Sequence, residues 1–315
     1  MVRPMPRAGG PTFPSGHPGL PSRRGAAVSI PPDLPPTTAP LATVVVPCFN
    51  QLEFTRRCVA ALARHTRLPW ELVAVDDGST DGTADYLRGV QDAAPFPVAV
   101  LAQPTNLGFP AACNRGLAAA RGELLVLLNN DAVVTDGWLD QLAALAGAMP
   151  EVGLVGPMTN YAPPPQLVEG VPYRSLEELD GFAARWRAER LGAWAEVPKL
   201  SGFCLLIKRA VYDQVGGLDE RFGPGLFDDD DLCLRARRAG WRLAVAHDLF
   251  VHHYGSRTLA GSGLDTEALL AENGRKFAAK WGDAAPLGRP VAIAPWAGGP
   301  RPARRHRRRR DQIGR

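Results

Sequence analysis

Several signatures are missing from this 315-residue chain. No apolar run approaches the roughly 20 residues that a bilayer-spanning helix needs. Arg3 and Arg7 are not followed by the apolar stretch of a secretory leader. The five cysteines, at 48, 58, 113, 204 and 233, form no CxxC pair and keep no regular spacing. This argues against a zinc module or a disulfide framework and leaves reduced thiols scattered through a core. No GxGxxG follows a β-rich run, which argues against a nicotinamide dehydrogenase. A nucleotidyltransferase would carry a Gly-rich, Arg-bearing phosphate loop after its first strand, and PCFNQLEF stands there instead.

What is present is an ordinary globular composition, 45% hydrophobic and 22% charged, with length for one large domain or two small ones. The net charge of +4 is unevenly placed. Residues 301–315 carry eight Arg and one Asp, and residues 1–40 carry four Arg and one Asp. Removing those contributions of +7 and +3 leaves residues 41–300 at −6, an acidic body between two basic ends. An acidic body repels nucleic acid, which is therefore not an expected partner.

Of the first 40 residues, 11 are Pro and 5 are Gly. Such a segment buries too little apolar surface to offset its ordering entropy, so 1–40 is expected to be disordered. The Pro- and Gly-rich segment 286–315 ends in the run Arg304–Arg310, interrupted only by His306, and like charges keep it extended. Its functional reading is peripheral contact with an anionic membrane, at about 1 kcal/mol per basic residue. Its bland reading is a solvated, dispensable tail. Residues 41–285 form the expected domain.

Within that domain short β-rich runs alternate with helical patterns. Thr43–Cys48, Glu71–Asp76, Val98–Leu101 and Glu123–Asn129 read as strands. Helices are expected around 55–65, 83–90 and 111–120. Apolar residues at consecutive positions, as in TVVV and LLVLL, mark strands buried on both faces. The alternation predicts an α/β fold with a mostly parallel sheet, whose ligands lie beyond the C-terminal strand ends. Three of those ends are polar: Pro47, Phe49 and Asn50; Asp76, Asp77, Gly78 and Ser79; Asn129, Asn130 and Asp131.

Further on, Ser175 and Glu178 have the spacing of a capping box for a helix over 175–190. A strand is expected over 203–207, and another near 249–251. Asp228–Asp231 open a helix that buries Leu232 and Ala236 and closes at Gly240. Aspartates suit a helix start, but four in a row repel one another, so this run also reads as a base or cation site. His252 and His253 beside carboxylates suit a divalent metal.

Eight blocks in order now carry a resemblance: VVVPCFN (44–50), VDDGSTDGT (75–83), NLGFPAACNRGL (106–117), LLNNDAVV (127–134), SGFCLLIKR (201–209), GGLDERF (216–222), FDDDDLCLRARRAGW (227–241) and HHYGS (252–256). The chain resembles the family 2 glycosyltransferases, and within them the bacterial rhamnosyltransferase-like enzymes of cell-surface polysaccharide synthesis. The resemblance implies a GT-A fold, a Rossmann-like, mostly parallel sheet flanked by helices.

It also implies roles. Pro47, Asn50, Asp76, Asn106, Gly108, Asn129 and Asn130 fall on the donor-nucleotide site, and Asp77 on the carboxylate that accepts a pyrimidine N–H. Asp131 is the implied metal ligand of the DxD motif, whose first position here is Asn129. His253 is the implied second ligand, with His252 the weaker candidate. Asp228 and Asp229 replace the usual Glu-Asp, which puts Asp229 on the catalytic base with its neighbours crowding it. The implied reaction is inverting transfer of a sugar from a nucleoside diphosphate to a hydroxyl of a glycan or lipid-linked acceptor, assisted by Mn2+ or Mg2+. The implied location is cytoplasmic, at the inner face of the plasma membrane. The other reading is a catalytically weak nucleotide-sugar or glycan-binding protein, whose basic tail attaches it to membrane or nucleic acid.

Overall fold

Val44, Val45, Val46, Leu125, Val126, Leu127 and Leu128 are fully buried, as consecutive apolar residues must be when helices cover both faces of a sheet. They lie on two central strands, β1 (Ala42–Cys48) and β4 (Leu124–Leu128), which pair in parallel. The computed structural model describes residues 40–255 and 264–282. The expected tails, and Arg304–Arg310 within them, lie outside the described residues. No described helix is long and apolar enough to cross a membrane.

From the centre outward, β1 pairs in parallel with β2 (Trp70–Asp76), and β2 with β3 (Val98–Ala102). On the other side, β4 pairs antiparallel with β8 (Cys204–Lys208). Beyond it lie β6 (Val152–Met158), β9 (Arg242–Phe250) and β7 (Trp194–Glu196). The eight strands run in the order β3-β2-β1-β4-β8-β6-β9-β7, with only β8 and β7 antiparallel to the rest. Pro47 sits near the end of β1, past its last pair with β4, where the missing N–H breaks no ladder on that side. A separate pair, β5 (Ala132–Val133) with β10 (His252–His253), sets Ala132 opposite His253.

Helices α1 (Leu52–His65), α2 (Thr83–Ala93) and α3 (Phe109–Ala119) join the first four strands. The rest are α4 (Trp138–Ala148), α5 (Leu176–Arg190), α6 (Arg209–Val215), α7 (Asp228–Arg238) and α8 (Thr266–Trp281). Sequence reasoning did not find α4, β6, β7, α6 or α8, and reached only the end of β9. Gly153 interrupts the apolar pattern of β6, yet a Cβ there would meet Val211 Cγ2 at 2.6 Å. The glycine that disguises the strand is required by its packing.

The capping box is corrected. The Ser175 side chain makes no cap bond to the helix, and Glu178 accepts instead from Arg174 N at 2.8 Å. The reading of the cysteines fits: all five are free and buried, and burial pushes their thiols up.

Candidate active site

The C-terminal ends of β1, β2 and β4 open into a cavity of about 620 Å³. Asp77, Asp131 and Asp229, from distant parts of the chain, all line it, as do Pro47, Asn106, Gly108, Asn129, Asn130, Asp228 and His253. Asn50 and Asp76 stand next to this lining rather than in it. Asn50, with φ 53°, accepts from Thr80 N and donates its own N–H to Ser79 Oγ, each at 2.8 Å. Asp76 accepts from Ser79 N at 3.2 Å. Asn50 therefore ties the β1 loop to the β2 loop, and Asp76 braces the β2 loop internally.

Asp77 is 3% exposed and accepts from Gln103 Nε2 at 2.6 Å, Leu107 N at 2.9 Å and Gly108 N at 3.0 Å. Burial raises its carboxyl above the usual range, and those three bonds oppose the rise. A carboxylate has about four acceptor directions, so a fourth donor can still be received. Asn106 Oδ1 also accepts from Gly108 N, at 2.8 Å. Gly108 has φ +95°, and a Cβ there would fall 2.4 Å from the Gly223 carbonyl oxygen. Only glycine suits this turn.

Below β4, Asn130 turns inward and donates to Thr55 Oγ1 at 3.0 Å. His253 Nδ1 faces the Tyr161 carbonyl at 2.8 Å, so it carries the proton in the neutral ring. Nε2 then offers a lone pair, 3.1 Å from Asp131 Oδ1 and 3.3 Å from Asn129 Nδ2. Two acceptors so close need a proton or a cation between them. Asn129 Oδ1 is buried beside them without a hydrogen-bond donor among the described residues. A carboxylate and an imidazole side by side, with an amide oxygen nearby, are donor types that suit Mn2+ or Mg2+, but among the described residues no three His, Cys, Asp or Glu side chains gather as a metal cluster. Phe203 stacks on the His253 ring at 4.8 Å and 16°, fixing its plane. His252 instead meets Tyr173 Oη through Nδ1 at 2.6 Å. Burial, then His253, lowers its pKa to about 3, and it does not line the cavity.

The four aspartates opening α7 divide between two sides: Asp228, Asp229 and Asp230 line the cavity and Asp231 does not. Asp231 turns away from the cavity to Arg235 Nε at 2.7 Å, Lys280 Nζ at 2.6 Å and Trp281 Nε1 at 2.8 Å. This corrects the expectation that it crowds Asp229. Asp230 meets Lys199 Nζ at 2.9 Å. Asp229 Oδ2 accepts from Gly202 N at 2.9 Å, which orients its carboxylate. Burial, then the charge of Asp229, pushes Asp228 well above the usual range and favours its protonated form.

Sequence reasoning missed several wall residues: Lys199, Phe203, Pro163 to Pro165 and Leu270. It also missed Leu226 and Phe227, which adopt positive φ of 73° and 70°. Asn273 of α8 holds that turn by donating to the carbonyls of Phe222 and Gly225, each at 2.8 Å, and of Leu226 at 3.2 Å. No sequence pattern announces a positive φ at a bulky residue.

Residues 43–216 match the family model described as glycosyl transferase family 2. The chain is 29% identical over 254 residues to the N-acetylglucosaminyl-diphospho-decaprenol L-rhamnosyltransferase of Mycobacterium tuberculosis, covering 72% of this chain and 80% of that one. It is 30% identical over 232 residues to an uncharacterized protein of Sinorhizobium fredii. That match covers 69% of this chain but spans only 25% of the relative's length. Among solved structures it is similar to a mannosyltransferase from Pyrobaculum calidifontis in complex with GDP-Man and Mn2+. The TM-score is 0.56 at 23% identity, over 80% of this chain and 68% of that one. The shared architecture is the GT-A fold.

Proposed function

Since the chain belongs to glycosyl transferase family 2, we propose that it moves a sugar from a nucleoside diphosphate to an acceptor hydroxyl with inversion at the anomeric carbon. The observation that carries this reading is the convergence of Asp77, Asp131 and Asp229 on one cavity. Asp77, held by Gln103, Leu107 and Gly108, has an acceptor direction left for a ring N–H of the donor base. Asp131, His253 and Asn129 Oδ1 would hold Mn2+ or Mg2+. When bound, that ion stabilises the negative charge growing on the departing diphosphate.

Asp229 is the proposed base. A carboxylate takes the acceptor proton when it lies within about 3 Å of the attacking hydroxyl. Its Oδ2 is fixed by the Gly202 N–H, so the carboxylate is oriented before the acceptor arrives. Asp228, with its proton favoured, serves beside it as a neutral neighbour rather than a second base. A single displacement inverts the anomeric centre.

For the acceptor we infer a glycan or a lipid-linked sugar, in cell-surface polysaccharide synthesis at the cytoplasmic face of the membrane. The relative from M. tuberculosis, named for a decaprenol-linked acceptor, supports this. So does the apolar wall of Pro163, Pro164, Leu226, Leu264 and Leu270. Arg304–Arg310 would add a peripheral contact with anionic lipid. Equal liposome binding by full-length protein and a form lacking 301–315 would remove that contact from the proposal.

The test is a thermal-shift panel of nucleoside diphosphates and sugar nucleotides with Mn2+. A ligand at 100 times its Kd adds about 2.7 kcal/mol of stability, a readily visible shift. One nucleotide class is expected to stabilise the protein, and no shift across the panel would overturn the reading.

A further inference from the structure

Residues 199–203 form a strap along the first turn of α7, and every one of them is tied. Lys199 Nζ lies 2.9 Å from Asp230 Oδ1. Leu200 N donates to Cys233 Sγ at 3.3 Å, and that thiol faces Leu200 O at 3.5 Å. Ser201 N donates to Gln166 Oε1 at 2.7 Å, and Gly202 N to Asp229 Oδ2 at 2.9 Å. Phe203 O accepts from Asn129 N at 2.8 Å. The strap therefore connects the proposed base to the Asn129–His253 corner. Among the described residues lining the cavity, Lys199 is the only lysine or arginine, against Asp77, Asp131, Asp228, Asp229 and Asp230.

We propose that Lys199 is a positioning residue: through Asp230 it holds the first turn of α7 against the strap and keeps the Asp229 carboxylate aimed into the cavity. The inference rests on the reading of Asp229 as the base.

Lys199 is 8% exposed, and burying an ammonium is costly unless it is paired. The Lys199–Asp230 and Gly202–Asp229 contacts are two clamps, each fixing one of two adjacent helix residues to the strap. Without that cation, Asp229 and Asp230 would stand side by side in the cavity wall with no positive side chain in the lining to offset their repulsion. The charged groups facing Asp230 are Lys199 from the strap and Asp228 and Asp229 from its own helix. Asp231 is occupied on the other side by Arg235 and Lys280. Burial, then Asp229, raises the Asp230 carboxyl to about 6, with Lys199 pulling it down. Losing Lys199 removes both the clamp and that pull, so Asp230 keeps its proton to higher pH.

The experiment uses full-length protein with 13C-labelled aspartate, as wild type, Lys199→Met, Lys199→Arg and Asp230→Asn. The signal lost in Asp230→Asn identifies Asp230. Its titration midpoint should rise by about 1–3 pH units in Lys199→Met and return towards wild type in Lys199→Arg. Transfer is then followed across pH with the donor selected by the thermal-shift panel. The acid limb of kcat should move up by about one unit in Lys199→Met and recover in Lys199→Arg, with the donor KM changed less than about twofold. In Asp230→Asn the limb should move down. An unmoved Asp230 midpoint overturns the proposal, as does an unmoved acid limb in Lys199→Met. Should circular dichroism show Lys199→Met unfolded, a wild-type limb in Asp230→Asn overturns it. A panel without any donor refutes the transferase reading instead, and the carboxyl titration still judges Lys199.

Discussion

His253 Nε2 stands 3.1 Å from Asp131 Oδ1, while the opposite ring nitrogen is committed to the Tyr161 carbonyl. The contact joins β10 to the β4 loop, 122 positions apart, through the short β5–β10 pair. The two atoms are close enough that a divalent cation would take both as ligands. His253→Ala should therefore weaken Mn2+ binding in the presence of a nucleoside diphosphate by about tenfold or more. His252→Phe should leave it near wild type, because His252 faces Tyr173 instead. Mn2+ titration followed by electron paramagnetic resonance reads both, and equal losses would remove His253 from the ligand set.

Asp229 and Asp231 are two residues apart and should fail differently. Asp229→Asn is expected to retain nucleotide and Mn2+ binding while turnover falls by about 10²–10⁴-fold. Asp231→Asn should instead lower stability by about 3–5 kcal/mol, because Arg235 and Lys280 lose a fully buried partner. Steady-state rates and urea unfolding on the same two proteins decide the matter.

Gly108→Ala introduces a side chain at φ +95° and within 2.4 Å of the Gly223 carbonyl oxygen. Backbone strain of about 1–3 kcal/mol is expected, felt at the loop that cradles Asp77. The thermal shift given by the best nucleotide should shrink in this variant.

Asn273→Leu leaves the Phe222, Gly225 and Leu226 carbonyls without the amide that now serves them. A cost of about 1–3 kcal/mol follows from buried acceptors losing their donor. Hydrogen exchange should quicken in 222–227 first, since that turn contains the strained Leu226 and Phe227.

Glu71 offers a pH test far from the cavity. Burial pushes its carboxyl up, but bonds from Arg121 and Thr43 outweigh this and hold it below the usual range. A lowered folded-state pKa stabilises the protein above the unfolded value and loses that stabilisation as pH falls through the folded one. Glu71→Gln should accordingly be less stable than wild type at pH 6, and the gap should close towards pH 3. Thermal unfolding at both pH values checks this.

The strand ends were legible in the sequence because buried parallel strands announce themselves as apolar runs and stop at polar residues. Asp77, Asn129 and Asp131 stand at such stops. The second half was less legible. Nothing in FDDDD distinguishes an aspartate that faces a cavity from one that neutralises Arg235 and Lys280, since helical rotation and distant partners make that division. Lys199 had no visible signal either, because its partner lies 31 positions away on another element. Nor does the sequence show that Asn50 and Asp76 spend side-chain bonds on the loop after β2, as polar residues after a strand can do.

The family model's match ends at residue 216, while Leu226, Phe227, Asp229, His253 and Leu270 of the cavity wall all follow it. Two proteins could share the matched half nearly unchanged and still differ throughout this later part of the wall. The proposed base Asp229 and the proposed metal ligand His253 both lie in that later stretch, so the family model alone does not span the cavity.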